Sequence, residues 1–195
     1  RARAEDPMAQ EHHLTLDLTL QRQLEALARE AVQGKGERLQ VAIVVADHAS
    51  GEILASVGSA EFTEDRRQGY VDMTHALRSP GSTLKPLVYA LAFDQGLAHP
   101  ETMIDDRPTV FGTYAPQNFD KIYRGTIRVR EALQMSLNIP VVMLTEAMGP
   151  ARLLSAMGKA GMDYRLPGGQ PGLAVSLGGV GVTGQGGQGA GDRRL

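Results

Sequence analysis

Pro80-Gly81-Ser82-Thr83-Leu84-Lys85-Pro86 sets a serine and a lysine three residues apart, a spacing that stacks two side chains on one face of a helix. In the first turn of such a helix, Ser82 meets free backbone N–H groups and the positive end of the helix dipole, and both favour a developing alkoxide. Lys85, one turn on, is within reach of the hydroxyl proton, and it acts as a base if burial or a nearby cation keeps it neutral. Gly81 supplies a tight turn that brings backbone close to whatever reacts. Leu84, Leu87, Val88 and Leu91 follow at helical spacing, so the helix has an apolar face to bury. Pro86 falls near the start, where a missing N–H costs least. The pattern predicts a helix to about Gln95, stopped by Gly96.

A short pair of this kind is weak by itself. An N-capping serine beside a solvated lysine accounts for it equally well. A second element, Ser136-Leu137-Asn138-Ile139-Pro140, gives it weight. Ile127 to Met135 reads as a helix, with Val129, Ala132 and Leu133 on one side. Pro140 disfavours helix at Ile139, so the chain is expected to break there and restart over Val141–Met148. Ser136 and Asn138, two apart on a non-helical joint, then face one cavity.

The remainder is arranged around these two elements. Residues 1–13 are polar and read as a linker. His12 and His13 point different ways and lack a third ligand at suitable spacing, so no metal is expected. Leu14-Thr15-Leu16 reads as a short strand and Thr19 as an N-cap. Leu20, Leu24, Leu27, Ala28 and Ala31 form a helical stripe over 20–33, with Glu25 and Arg29 a solvated pair. Leu39–Ala46 and Glu52–Val57 form a hairpin about an Asp47–Gly51 turn. Its first strand is apolar enough to be covered on both faces, and His48 belongs in the turn. Residues 58–78 read as loop. Residues 97–127 carry Pro100, Pro108 and Pro116, and read as an extended excursion with no core of its own. Pro150 begins another helix, to about Ala160, and Leu173–Leu177 reads as a strand. From 184 to 195 the Gly/Gln-rich composition predicts disorder.

The 195 residues suffice for one sizeable domain or part of a larger one. A net charge of −2 with no basic block argues against nucleic acid as a partner. Without cysteine there is neither disulfide nor thiol chemistry. No apolar run reaches the length of a membrane span.

Gly81–Pro86 followed by Ser136–Asn138 resembles the active-site elements of the penicillin-binding proteins. The surrounding segments extend the resemblance to the transpeptidase domain of their class A members: Gly69–Met73, Ala76–Pro80, Tyr114-Ala115-Pro116-Gln117-Asn118-Phe119-Asp120, Gly125–Ile127 and Glu131–Val141. The likeness spans residues 14–183. It implies an α+β fold, a partial transpeptidase and β-lactamase-like architecture with an antiparallel sheet flanked by helices and a helical subregion.

The same resemblance implies the chemistry. Ser82 is the nucleophile toward the penultimate D-alanine carbonyl of a peptidoglycan stem peptide, and Lys85 is its base. Ser136 relays a proton to the leaving nitrogen. Asn138 binds the donor peptide and orients Lys85, while Gly81 lies against the substrate. The Ser82 N–H forms half of the oxyanion hole. No cofactor is implied. Penicillin and other β-lactams are implied as acylating ligands. The parent protein is expected at the periplasmic face of the inner membrane, anchored there, with an upstream glycosyltransferase domain. The family's third element, Lys-Thr-Gly or Lys-Ser-Gly, occurs nowhere in the 195 residues. The chain is therefore expected to be C-terminally truncated and impaired. A β-lactam-sensing receptor domain and a non-catalytic fragment are the alternative readings.

Overall fold

The computed structural model describes residues 8, 11–36, 38–62 and 68–183. The chain divides into two units, residues 1–76 and residues 77–195.

In the first unit, helix α1 (Leu18–Val32) packs on a hairpin. Asp17, not Thr19, caps it: Asp17 Oδ1 accepts from Thr19 N at 2.8 Å and Leu20 N at 3.0 Å. A carboxylate does this better than a hydroxyl because it also meets the positive end of the dipole. Ala28 and Val32 are buried, but Leu27 is exposed, so the buried stripe is narrower than the sequence pattern. Glu25 accepts from Gln21 Nε2 rather than pairing with Arg29.

Strands β1 (Ile43–Ala46) and β2 (Ile53–Val57) pair antiparallel from Ile43↔Val57 to Ala46↔Ile53, with an irregularity after Val45. Asp47 Oδ1 ties the turn by accepting from Ala49 N and Ser50 N, and His48 is exposed. β1 is half-buried rather than covered on both faces. Leu14–Leu16 forms no strand. It is held beside β2 by Thr15 Oγ1 donating to Ile53 O and Asp17 N donating to Leu54 O. The Gln21 side chain meets both backbone groups of Ser56, and so locks α1 to β2.

The second unit holds the larger core. A 3-10 turn (Gly81–Leu84) runs into helix α2 (Lys85–Asp94), which stops at Gln95 and Gly96, the latter at φ 66°. Strands β3 (Met103–Asp106) and β4 (Gly125–Arg128) pair antiparallel, Met103 with Arg128 and Asp106 with Gly125. Helices α3 (Val129–Gln134), α4 (Asn138–Met148) and α5 (Pro150–Lys159) follow. Last come β5 (Tyr164–Arg165), a second 3-10 turn (Leu173–Leu177) and β6 (Gly181–Val182), which pairs with β5 and bridges to Arg78.

α4 is apolar around most of its circumference, with Glu146 and Ala147 on its exposed side. Ile139, Val141, Val142, Leu144 and Met148 are all buried. Val88, Tyr89 and Ala92 of α2, with Leu153 and Met157 of α5, complete the centre of the core.

Four expectations in this unit need correction. The helix read over Ile127–Met135 starts at Val129, because Ile127 and Arg128 are paired in β4. The 97–127 excursion is not coreless: its ends form the β3–β4 ladder, and Ile104, Asp106, Phe111 and Asn118 are buried. The helix after the joint begins at Asn138, not Val141. Pro140 sits in its first turn, where its missing N–H has no intrahelical acceptor to lose. Leu173–Leu177 is a 3-10 turn rather than a strand, closed by Gly178 in the left-handed region at φ 91°. Residues 184–195 lie outside the described residues.

Candidate active site

Each site residue is placed by a local constraint legible in the fold. Gly81 stands at φ 53°, a conformation glycine adopts cheaply, and it turns the chain into the helix. Ser79 Oγ donates to Gly178 O at 2.7 Å and accepts from Gly81 N at 3.3 Å. Gly178 presses directly on this turn: a Cβ there would lie 2.5 Å from Gly81 N. The start of the Ser82 segment is thus wedged against the far end of the unit.

Ser82 is exposed on the 3-10 turn. Side chains three apart eclipse in that geometry, so Ser82 and Lys85 share a face. The expected α-helical first turn is the tighter form, and Lys85 is the first residue of α2. The Ser82 hydroxyl makes no hydrogen bond to a described residue.

Lys85 is almost fully buried, with 1% of its surface exposed. Its Nζ donates to Asn138 Oδ1 at 2.7 Å and Ser136 Oγ at 3.1 Å, and also to the Ser136 carbonyl. These three acceptors match the three N–H bonds of an ammonium. Burial works the other way and pushes the Lys85 pKa down to about 8. At pH 7 roughly one molecule in ten then carries the neutral amine. No hydrogen bond joins Lys85 to Ser82 among the described residues. The structure clusters Lys85, Ser136 and Asn138, with Ser82 one turn away on the open side.

Ser136 stands in the left-handed region at φ 54°, just past the end of α3. Glycine is the usual residue for such a position, and a serine there stores strain. Its backbone is held by Ser136 N donating to Leu133 O and Leu137 N donating to Ala132 O. The bend turns both the carbonyl and the hydroxyl of Ser136 onto Lys85. Asn138 opens α4, and its Nδ2 donates to Gln117 O at 2.6 Å.

One contributor escaped the reading of the sequence. Asn118 Oδ1 accepts from Asn138 N at 2.8 Å, so the excursion between β3 and β4 holds the second element in place. Its signal was present in Tyr114–Asp120, a segment noted for its likeness and not for a contact.

Comparison with known proteins agrees with this geometry. Residues 41–181 match the family model "Penicillin binding protein transpeptidase domain". Penicillin-binding protein 1C of Escherichia coli (strain K12) is 44% identical over 169 residues, covering 86% of this chain and 22% of that protein. Penicillin-binding protein 1B of Vibrio cholerae is 34% identical over 168 residues, covering 81% of this chain and 20% of that protein. The chain thus spans about a fifth of the length of these relatives. Among solved structures, PonA1 of Mycobacterium tuberculosis in complex with penicillin V superposes with a TM-score of 0.72 at 24% identity, over 88% of this chain and 47% of that one. The fold is the mixed α+β architecture of those domains. With a matched family model over most of its length, and a buried lysine joined to the serine and asparagine of the second element, the chain belongs to the penicillin-binding protein transpeptidase family.

Proposed function

We propose that this chain carries the acyl-transfer site of a peptidoglycan D,D-transpeptidase, with Ser82 as the nucleophile and Lys85 as its base. The observation that carries the reading is the buried Lys85 amine, hydrogen-bonded to Ser136 and Asn138 and stacked one turn below an exposed Ser82.

The neutral fraction of Lys85 takes the Ser82 proton as Oγ bonds to the penultimate D-alanine carbonyl carbon. The Ser82 N–H, which has no acceptor among the described residues, faces the developing oxyanion. The C–N bond to the terminal D-alanine breaks, and Ser136 passes a proton to the departing nitrogen. Ser136 suits that role because its hydroxyl is within hydrogen-bond reach of the Lys85 amine. An amine of a neighbouring stem peptide then attacks the ester and releases Ser82. Asn138 and Gly81 line the donor-peptide side. A β-lactam mimics the donor and leaves the ester in place.

The family's third element supplies a second oxyanion donor, and the 195 residues contain no Lys-Thr-Gly or Lys-Ser-Gly. A second donor of that kind beside the Ser82 N–H is worth about 10²–10³ in rate. The parent protein is placed at the periplasmic face of the membrane, with an upstream glycosyltransferase domain. Among the described residues no helix is long and apolar enough to cross a membrane.

The test is turnover of a thioester analogue of a D-Ala-terminated stem peptide, with a D-amino acid as acceptor. Thiol release and aminolysis product that both require Ser82 support the reading. Release that survives Ser82→Ala overturns it, and a Ser82-dependent hydrolysis that ignores the amine replaces transpeptidation with carboxypeptidation.

A further inference from the structure

Behind Asn138 lies a buried hydrogen-bonded line that neither active-site element contains. Asp106, at the end of β3, has no exposed surface. Asn118 Nδ2 donates to both its carboxylate oxygens, at 2.8 and 3.0 Å, and to Ile122 O at 2.9 Å. Arg124 N adds a third hydrogen bond to Asp106 at 2.8 Å. Asn118 is itself only 3% exposed, and its Oδ1 takes the Asn138 backbone N–H. The next residue back, Gln117, accepts from Asn138 Nδ2. Asn138 Oδ1 then accepts from Lys85 Nζ.

The chemistry of amides makes this line directional. An asparagine has one accepting end and one donating end. The Asp106 carboxylate accepts only, so Asn118 must turn its NH₂ inward and its oxygen toward α4. The Gln117 carbonyl likewise accepts only, so Asn138 must give it the NH₂ and present its oxygen to Lys85. Flipping Asn118 would set its oxygen against the Asp106 carboxylate in a buried place, at a cost typical of an unsatisfied buried polar group, and flipping Asn138 would set its oxygen against the Gln117 carbonyl.

We infer that Asn118, clamped by Asp106, is a positioning residue that holds Asn138 with its amide oxygen toward the Lys85 amine. This rests on the reading of Lys85 as the base. The titratable and charged groups sharing the cluster are Asp106 itself, with Tyr89, one turn beyond Lys85 on α2, and Arg124, both of which feel the Asp106 charge. Without the Asn118 side chain the start of α4 loosens, water reaches the amine, and Asp106 loses its Asn118 donors. Access of water favours the ammonium.

The experiment uses the 195-residue chain labelled with ¹³C at the lysine ε carbon. It holds four lysines, and the Lys85 signal is assigned by its disappearance in Lys85→Met. The titration midpoint of Lys85 is followed together with the pH profile of Ser82 acylation by a fluorescent penicillin. In Asn118→Ala the midpoint should rise by about one pH unit, lowering the acylation rate at pH 7 about tenfold. Asn118→Ser, whose single O–H offers Asp106 one hydrogen bond in place of two, should fall between this variant and the parent. Leu153→Ala, a core change in α5, should lower the melting temperature and leave the midpoint in place. A wild-type midpoint in both Asn118 variants overturns the assignment, as does an equal shift in Leu153→Ala. Acylation that is equal in Lys85→Met overturns the base reading instead, and the carbon titration still judges Asn118 by itself.

Discussion

Lys85 Nζ donates to Asn138 Oδ1 at 2.7 Å, across 53 residues of sequence. This bond joins the two elements on which the account rests, and it is made by an amine with almost no contact with solvent. Burial pulls the Lys85 pKa to about 8, while its unfolded value is near 10.5. The neutral base therefore accumulates as pH rises through 8, and acylation of Ser82 should climb with it and level off above. A rate that is flat between pH 6 and 9 would contradict this.

Stability should follow the same group with a definite sign. Between pH 8 and 10.5 the unfolded chain holds a proton that the folded chain has released, so the fold gains stability as pH rises through that window. The full gain is on the order of 3 kcal/mol. Burial and the Asp106 charge push the Tyr89 hydroxyl the other way, upward, so its contribution is present below about pH 10 and lost above. Denaturant midpoints measured against pH should peak near pH 10, and Lys85→Met should remove the rise.

Gly178→Ala tests the wedge behind Ser82. The new Cβ would stand 2.5 Å from both Gly81 N and Ser79 Oγ, at φ 91°. The fold should lose about 2–4 kcal/mol. Acylation of Ser82 should slow about 10–100-fold because the nucleophile's turn is displaced. Thermal melts and labelling kinetics read the two effects separately.

Ser136→Gly separates strain from function. Relief of the left-handed serine should hold or raise stability by about 1 kcal/mol. The same change removes the hydroxyl from Lys85 and should slow turnover of the thioester analogue. Ser136→Ala keeps the strain and should slow turnover without the gain in stability.

Asp17→Ala concerns the first unit alone. Losing both N-cap bonds of α1 should cost about 1 kcal/mol. Circular dichroism should show the helix signal lost at lower denaturant, and a change to Asp17→Asn should recover most of it.

Local signals carried much of this molecule. The Gly81 turn, the α2 stop at Gly96, the β1–β2 hairpin and the Pro150 start all depend on residues adjacent in sequence. The site pair was legible for the same reason, since three-residue spacing stacks Ser82 on Lys85. What escaped was long-range. The β3–β4 ladder pairs Asp106 with Gly125 across a proline-bearing excursion whose local composition looks like loop. Asn118 is buried because Asp106, Ile122 and Asn138 satisfy it, and two of these partners stand 12 and 20 residues away in sequence. Leu173–Leu177 has a strand's composition, yet it coils where Gly178 must fit against Gly81.

The most direct measurement is peptide mapping after exposure of the 195-residue chain to penicillin. The account predicts one penicilloyl adduct, on the peptide containing Ser82, absent in Ser82→Ala and formed far more slowly in Lys85→Met. An adduct on another residue, or equal labelling of the Ser82→Ala chain, would contradict it.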